Sequence, residues 1–372
     1  MQNWVRWTLG IIAIAVATSA VAALSLFAAL HSGSSDFAYT FGTRTGVATA
    51  PTTGYGLATD IAGVPAGDLD QRLSDMKATG ATWVRYDLSW KLVQPNNATS
   101  YDWSTYDRVT KAATDHGFKV LMIIDFAPVW AQKSGCNGSD ICVPANPITY
   151  AKFAAAAVGR YKSYGVRDWE IWNEPNVGYR FNGKADAAFY TRMLKDSYSA
   201  IKRVDSSAVV ITGGTSPAST DGNNYSPADF IKALYNHGAG GWFDAVGAHP
   251  YTYPISPAKS TSTDAWGQMS ATHKLMADHG DGNKQIWVTE YGAPTDGPDP
   301  AKRVSEAEQA QMATDSIGIF HGYSWGGPFF WYNYMNSGSD TSSSENFYGL
   351  VAADGSQKPS YAAFVTAVAT TK

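Results

Sequence analysis

From Tyr55 to Phe364 the chain alternates strand-like and helix-like segments eight times, with little sequence left between them. Such alternation is what a parallel sheet with crossover helices requires, because parallel neighbours cannot be joined by a tight turn. The strand candidates are Tyr55 to Ile61, Thr82 to Asp87, Lys119 to Asp125, Asp168 to Asn173, Ala208 to Gly213, Phe243 to His249, Gln285 to Glu290 and Pro328 to Asn333. Eight is the number of units that closes a barrel. The expected fold is therefore α/β, a (β/α)8 TIM barrel occupying residues 52–372 as one domain, with no repeat or low-complexity segment to suggest a second.

One helix is expected to begin near Asp68, with Leu69, Leu73 and Met76 on one face, and to end at Gly80. Others are centred near Val109, Ala156, Met193, Ile231, Met276, Met312 and Phe364. Four end in the same dipeptide, His116-Gly117, His237-Gly238, His279-Gly280 and His321-Gly322. Glycine there suits the left-handed C-terminal position, and histidine the negative end of the helix dipole. Those four histidines have a structural explanation, His31 lies near the N-terminus and His273 lies mid-helix. His249 is left as the one histidine at a strand's end.

The N-terminus reads differently. Arg6 is the only charged side chain among the first thirty residues, and Trp7 to Leu30 form one apolar run long enough to cross a bilayer. Residues 1–31 are expected to be a signal peptide or membrane anchor, and 32–51, rich in Gly, Ser, Thr and Ala, a flexible tether. Ala20-Val21-Ala22 would serve as a cleavage site, but the run stays apolar to Leu30, which favours retention. With Arg6 inside, the remainder lies outside the cytoplasm, membrane-anchored if uncleaved and otherwise secreted. Cys136 and Cys142, the only cysteines, are expected to form a local disulfide there; two free thiols or half of a metal site are the competing readings.

A net charge of -4 with no basic stripe argues against a nucleic-acid partner. Aromatic residues make up 13% of the chain, with 13 Trp and 21 Tyr, which fits a surface that stacks on flat ligand faces such as sugar rings; an aromatic-rich core is the other reading. In a barrel of this kind reactive groups gather where strands end, at the C-terminal face. The residues that would stand there are Arg85 and Asp87, Asp125, Asn173 and Glu174, His249 and Tyr251, Glu290, and Trp331 and Asn333.

Two carboxylates stand out among them. Glu174 follows Trp172-Asn173 and precedes Pro175, and Glu290 ends Trp287-Val288-Thr289. Period-two alternation would put Glu170, Trp172 and Glu174 on one face of the fourth strand and Ile286, Val288 and Glu290 on one face of the seventh. Across a closed barrel the two glutamates would flank one bond, the arrangement used to cleave a glycosidic linkage. Glu174 would act as the acid with a raised pKa in a partly desolvated cleft, and Tyr251 with an arginine would hold Glu290 ionised. A separation of about 5 to 5.5 Å implies a covalent intermediate, and one of roughly 6.5 to 9.5 Å a water-mediated inversion. Taken singly, Glu174 also reads as a solvated loop carboxylate, Glu290 as a charge paired to lysine, and His249 as a core histidine beside the Pro250 turn. Glu170, deeper in its strand, is expected to be buried and paired with Arg85. Trp331 would form a floor for a sugar, and Trp90, Trp130, Tyr179 and Phe181 would extend the cleft or pack its rim.

The sequence has no Gly-rich phosphate loop, no His-Glu-x-x-His helix and no Gly-x-Ser-x-Gly elbow, and the chemistry calls for neither metal nor cofactor. At the level of motifs the chain resembles clan A glycoside hydrolases, most of all families 39 and 5. The resemblance rests on Val84 to Trp90, Trp169 to Pro175, His249-Pro250-Tyr251, Trp287 to Gly292, Tyr348 to Val351 and Lys358 to Tyr361. It implies a retaining hydrolase with Glu174 as acid/base, Glu290 as nucleophile and Asn173 at the sugar 2-hydroxyl, supported by Arg85, His249, Tyr251 and Trp331. The substrate implied is an oligo- or polysaccharide, with endo action on a cell-surface, biofilm or plant-type polymer as the expectation. A transglycosylase using the same carboxylates and a non-catalytic carbohydrate-binding barrel are the alternatives.

Overall fold

The computed structural model describes residues 52–371, apart from 137 and 140, so the expected export segment and tether lie outside the described residues. Among the described residues no helix is long and apolar enough to cross a membrane. Eight parallel strands close into a barrel in chain order. They are β1 Tyr55–Ala58, β2 Trp83–Ser89, β3 Lys119–Asp125, β4 Asp168–Ile171, β5 Val209–Thr212, β6 Ala245–Ala248, β7 Gln285–Tyr291 and β8 Gly326–Tyr332. The main helices are α1 Leu69–Ala78, α2 Ser104–Asp115, α3 Pro147–Tyr161, α4 Ala187–Val204, α5 Pro227–Asn236, α6 Ala265–Asp278, α7 Glu306–His321 and α8 Pro359–Thr370.

Five of these eight helices start where a polar side chain satisfies a free N–H group. Asn146, Asp186, Ser226 and Asp264 accept from the first turns of α3 to α6, and Ser305 with Glu308 forms a reciprocal capping box on α7. Three of the four His-Gly ends behave as expected, with Gly117, Gly238 and Gly280 at φ of 72°, 77° and 82°. Gly322 does not: at φ -72° it stays right-handed, and the chain makes a further turn toward Gly326 before β8 begins.

Two apolar layers hold the barrel. Inside it, Ala58, Trp83, Leu121, Ile211, Ala245, Trp287 and Phe330 fill the bore, Trp83 meeting Trp287 edge-on at 5.5 Å. Outside it, a larger cluster joins strands to helices. Tryptophan is mostly part of this packing: Trp83, Trp90, Trp169, Trp172, Trp266, Trp287 and Trp331 are all buried. The core reading of the aromatic excess thus accounts for most of the described tryptophans. Cys136 and Cys142 form a disulfide, with Cα atoms 5.8 Å apart, in the excursion after β3.

Candidate active site

The C-terminal end of the barrel opens into a cleft of about 550 Å³, with Arg85, Asn173, Glu174, Tyr251 and Glu290 in its lining. Its floor is ionic. Arg85 donates through Nε to Glu170 at 2.6 Å and through Nη1 to Glu290 at 2.7 Å, so one buried guanidinium bridges β4 and β7. Glu170 is fully buried and also accepts from Gly214 N at 2.8 Å and Thr289 Oγ1 at 3.0 Å. This confirms Glu170 as a paired charge beneath the cleft. The second oxygen of Glu290 accepts from the Tyr251 hydroxyl at 2.8 Å, and the remaining arm of Arg85 reaches Asn173 Oδ1 at 3.5 Å.

Both glutamates arrive at the mouth by routes other than strand alternation. β4 ends at Ile171, and Trp172 and Glu174 then take φ of 67° and 47°, a region few non-glycine residues occupy. The turn sends Trp172 outward against Tyr150 and brings Glu174 in. It presses so closely on β5 that a Cβ at Gly213 would sit 2.3 Å from the Trp172 carbonyl oxygen. On β7, Ile286 and Val288 face the helices and Trp287 faces the bore. Continued alternation would turn Glu290 outward with Ile286 and Val288. A register shift against β8 between Val288 and Tyr291 lets both Thr289 and Glu290 point inward.

His249 sits between the two. Its Nδ1 is 3.3 Å from Glu174 Oε1 and 3.5 Å from Glu290 Oε2, and the ring is buried. A Cβ at Gly214 would lie 2.2 Å from its Nε2, so only glycine lets the ring occupy this place. Glu174 accepts further from the Tyr179 hydroxyl at 2.6 Å and from Arg180 Nε at 3.3 Å. Burial alone would raise its pKa, but His249, Arg180 and Tyr179 outweigh that effect and hold the carboxyl well below the usual range. The expected raised pKa is therefore corrected: His249, Arg180 and Tyr179 together favour the ionised form. One oxygen of each glutamate and a ring nitrogen of His249 lie within 4.8 Å of one another. Arg85, shared with Glu170, and Arg180 already pair with these carboxylates, which suits proton transfer better than capture of another cation.

Four predicted aromatic contacts are corrected. Trp331 faces away from the cleft and packs edge-on against Tyr291 at 6.0 Å; its neighbour Tyr332 points inward, lines the cleft and donates to Glu345 Oε2 at 3.1 Å. Trp90 is buried against Phe153 and Tyr150 with its indole N–H on Gln94, and Trp130 donates to the Gln94 carbonyl beside it; neither lines the cleft. Phe181 is likewise buried, against Phe189, whereas Tyr179 is an exposed part of the lining. Most aromatic residues lining the cleft are tyrosines, Tyr86, Tyr179, Tyr251, Tyr253, Tyr332 and Tyr348, joined by Phe126. The sequence reading missed Arg180, Tyr253, Tyr332 and Glu345. Arg180 was within reach of it, lying one short turn after Glu174.

The sequence profile of the cellulase family, glycosyl hydrolase family 5, matches residues 45–337. The chain belongs to this family. No curated protein matches it. Similar solved structures include a family 39 glycoside hydrolase from the gut symbiont Bacteroides cellulosilyticus WH2, at 22% identity and a TM-score of 0.69 over 86% of this chain. The match spans 64% of that protein, less than two thirds of its length. A family 5 subfamily 18 variant from Streptomyces cattleya, in complex with Manβ1-4GlcNAc, gives 16% identity and a TM-score of 0.65 over 86% of this chain and 80% of that one. An endo-β-1,4-glucanase from Xanthomonas axonopodis pv. citri gives 14%, 0.57, 85% and 99% for the same measures. Membership makes the protein a glycosidase, and these likenesses extend the shared barrel fold.

For this glycosidase the exchange of Trp331 for Tyr332 has a measurable consequence. Tyr332→Ala is expected to lower kcat/KM on an oligosaccharide by roughly tenfold, the scale of one lost aromatic contact. Trp331→Phe is expected to leave kcat/KM unchanged and to lower stability by about 1 to 3 kcal/mol, read from urea unfolding. The reverse pattern would put Trp331 back at the sugar.

Proposed function

We propose that this protein is a retaining O-glycosidase that cuts within a cell-surface, biofilm or plant-type polysaccharide, outside the cytoplasm. The observation that carries the reading is the closeness of the two carboxylates, with one oxygen of each inside the 4.8 Å set centred on His249. Oxygens this near suit carboxyl groups about 5 to 5.5 Å apart, as direct attack needs, better than the roughly 6.5 to 9.5 Å that leaves room for a water. In the first step Glu290 attacks the anomeric carbon while Glu174 gives its proton to the glycosidic oxygen, which leaves with the bond's electron pair. In the second, Glu174 takes a proton from water, whose oxygen displaces Glu290 and regenerates it. Arg85 and Tyr251 hold Glu290 as the attacking carboxylate.

Endo action is supported by the open cleft and its tyrosine walls, and the extracytoplasmic location by the apolar N-terminal run alone. Protein lacking residues 1 to 50 would be screened against bacterial surface and plant polysaccharides. The expected result is an oligosaccharide ladder whose new reducing ends first appear with the anomeric configuration of the substrate. Monosaccharide alone would remove endo action, inverted product would remove retention, and products elongated on added acceptor sugar would favour transglycosylation.

A further inference from the structure

Glu174 must carry a proton when the leaving oxygen departs, yet in the open cleft it is held by Arg180, a cation with no reason to release it. If Glu174 becomes neutral where Arg180 now sits, a largely buried guanidinium loses the counter-charge it contacts. Productive chemistry thus requires a second partner for Arg180. The structure contains one that the hydrolysis mechanism leaves unused. Asp125, at the end of β3, is 3% exposed, and its Oδ1 has no hydrogen-bond partner among the described residues. A small void of about 10 Å³ lies beside it, lined by Asp125, Phe126, Ile141, Trp172, Asn173 and Arg180.

We propose that Asp125 is the alternate seat of Arg180, so that one guanidinium and one proton are exchanged between two carboxylates: Arg180 pairs with Glu174 while Asp125 is protonated, and with Asp125 while Glu174 carries the proton. Asp125 Oδ gives up one proton and Glu174 Oε takes up one, so the total charge of the three groups does not change. Burial and the nearby Asp87 carboxylate do favour a neutral Asp125 in the open cleft, against the pull of Arg180 and Arg85, with Glu170 acting in the same sense as Asp87. Around Glu174 the facing groups are His249, Arg180 and Tyr179, with Glu290 beyond His249. Tyr179 moves with Arg180, because the two share the short turn Gly178–Phe181 and the guanidinium lies over the Tyr179 ring at 5.1 Å. Asp125 is then a positioning residue, acting on the leaving group through Arg180.

The inference rests on Glu174 as the acid/base, and two measurements separate the two claims. The first is a crystal structure of Glu174→Gln, whose amide imitates the protonated acid. Arg180 is expected within hydrogen-bond distance of Asp125 Oδ1, and Arg180 still on the amide would overturn the proposal. The second uses aryl β-glycosides of glucose, xylose and mannose with phenyl or dinitrophenyl leaving groups, since only the phenyl compounds need acid assistance. Asp125→Asn is expected to lower kcat/KM on the phenyl compounds by about tenfold or more and leave the dinitrophenyl compounds within about twofold. Equal losses on both, or none, would overturn it. In an Arg180→Met background the same substitution should have no further effect; an undiminished effect there also overturns it. Should Asp125→Asn fail to fold, the Glu174→Gln structure decides alone. If Glu174→Gln itself shows no leaving-group dependence, the acid/base reading fails; if it does and Asp125→Asn does not, only the exchange fails.

Discussion

Glu290→Gln is expected to reduce hydrolysis by at least about four orders of magnitude while the protein still folds and binds its polysaccharide. The amide keeps the shape of the side chain and removes the nucleophile. Folding is expected to survive because Arg85 keeps its shorter contact, Nε to Glu170 at 2.6 Å, and the Tyr251 hydroxyl can still donate to the amide oxygen. The measurement pairs hydrolysis rates with binding by calorimetry and thermal melting. A companion experiment treats the unaltered enzyme with a fluorosugar and maps the adduct by peptide mass, with Glu290 as the expected site. A variant that keeps even a hundredth of the activity would remove Glu290 from the nucleophile's role. A variant that binds but does not cut is expected, because the tyrosine walls that hold the polymer are separate from the attacking oxygen.

Arg85→Leu is expected to cost about 3 to 5 kcal/mol of stability, the largest effect of any single substitution considered. Arg85 is the only cation in contact with Glu170 at hydrogen-bond distance among the described residues, and Glu170 has no access to water. Removing the guanidinium leaves that carboxylate facing Gly214 N and Thr289 Oγ1, donors that do not cancel a full charge. Urea unfolding near neutral pH should show the loss. Arg85→Leu with Glu170→Met should recover most of it, because replacing both partners removes the uncompensated charge. If the double substitution is no more stable than the single one, Arg85 acts mainly by packing. Neither variant is expected to retain activity, since Glu290 loses its 2.7 Å contact in both.

The barrel was legible because most strands are short apolar runs closed by Gly, Pro, Asn or Asp, and five of the eight helices carry a capping side chain. Such signals are local, and all eight strands fall where the alternation places them. The side-chain directions were less legible. In a parallel barrel both faces of a strand are apolar, so Phe329-Phe330-Trp331-Tyr332 reads equally well in either phase. Here Phe330 and Tyr332 face inward, and Trp331 was assigned to the wrong side. For Trp90 and Trp130 the sequence showed only that they follow strands, a position shared by cleft residues and by the packing beneath them.

The sequence by itself determined the eightfold alternation, the exits of the fourth and seventh strands as the places for paired carboxylates, and the pairing of Glu170 with Arg85. These follow from local patterning and from the cost of burying a charge alone. Only the tertiary structure decided how Glu174 and Glu290 reach the cleft, because a turn with positive φ and a register shift between neighbouring strands leave no periodic trace in the chain. It also decided the direction in which the Glu174 pKa is pushed. A carboxyl group's ionisation depends on the donors that surround it, and His249, Tyr179 and Arg180 come together around Glu174 only when the barrel closes.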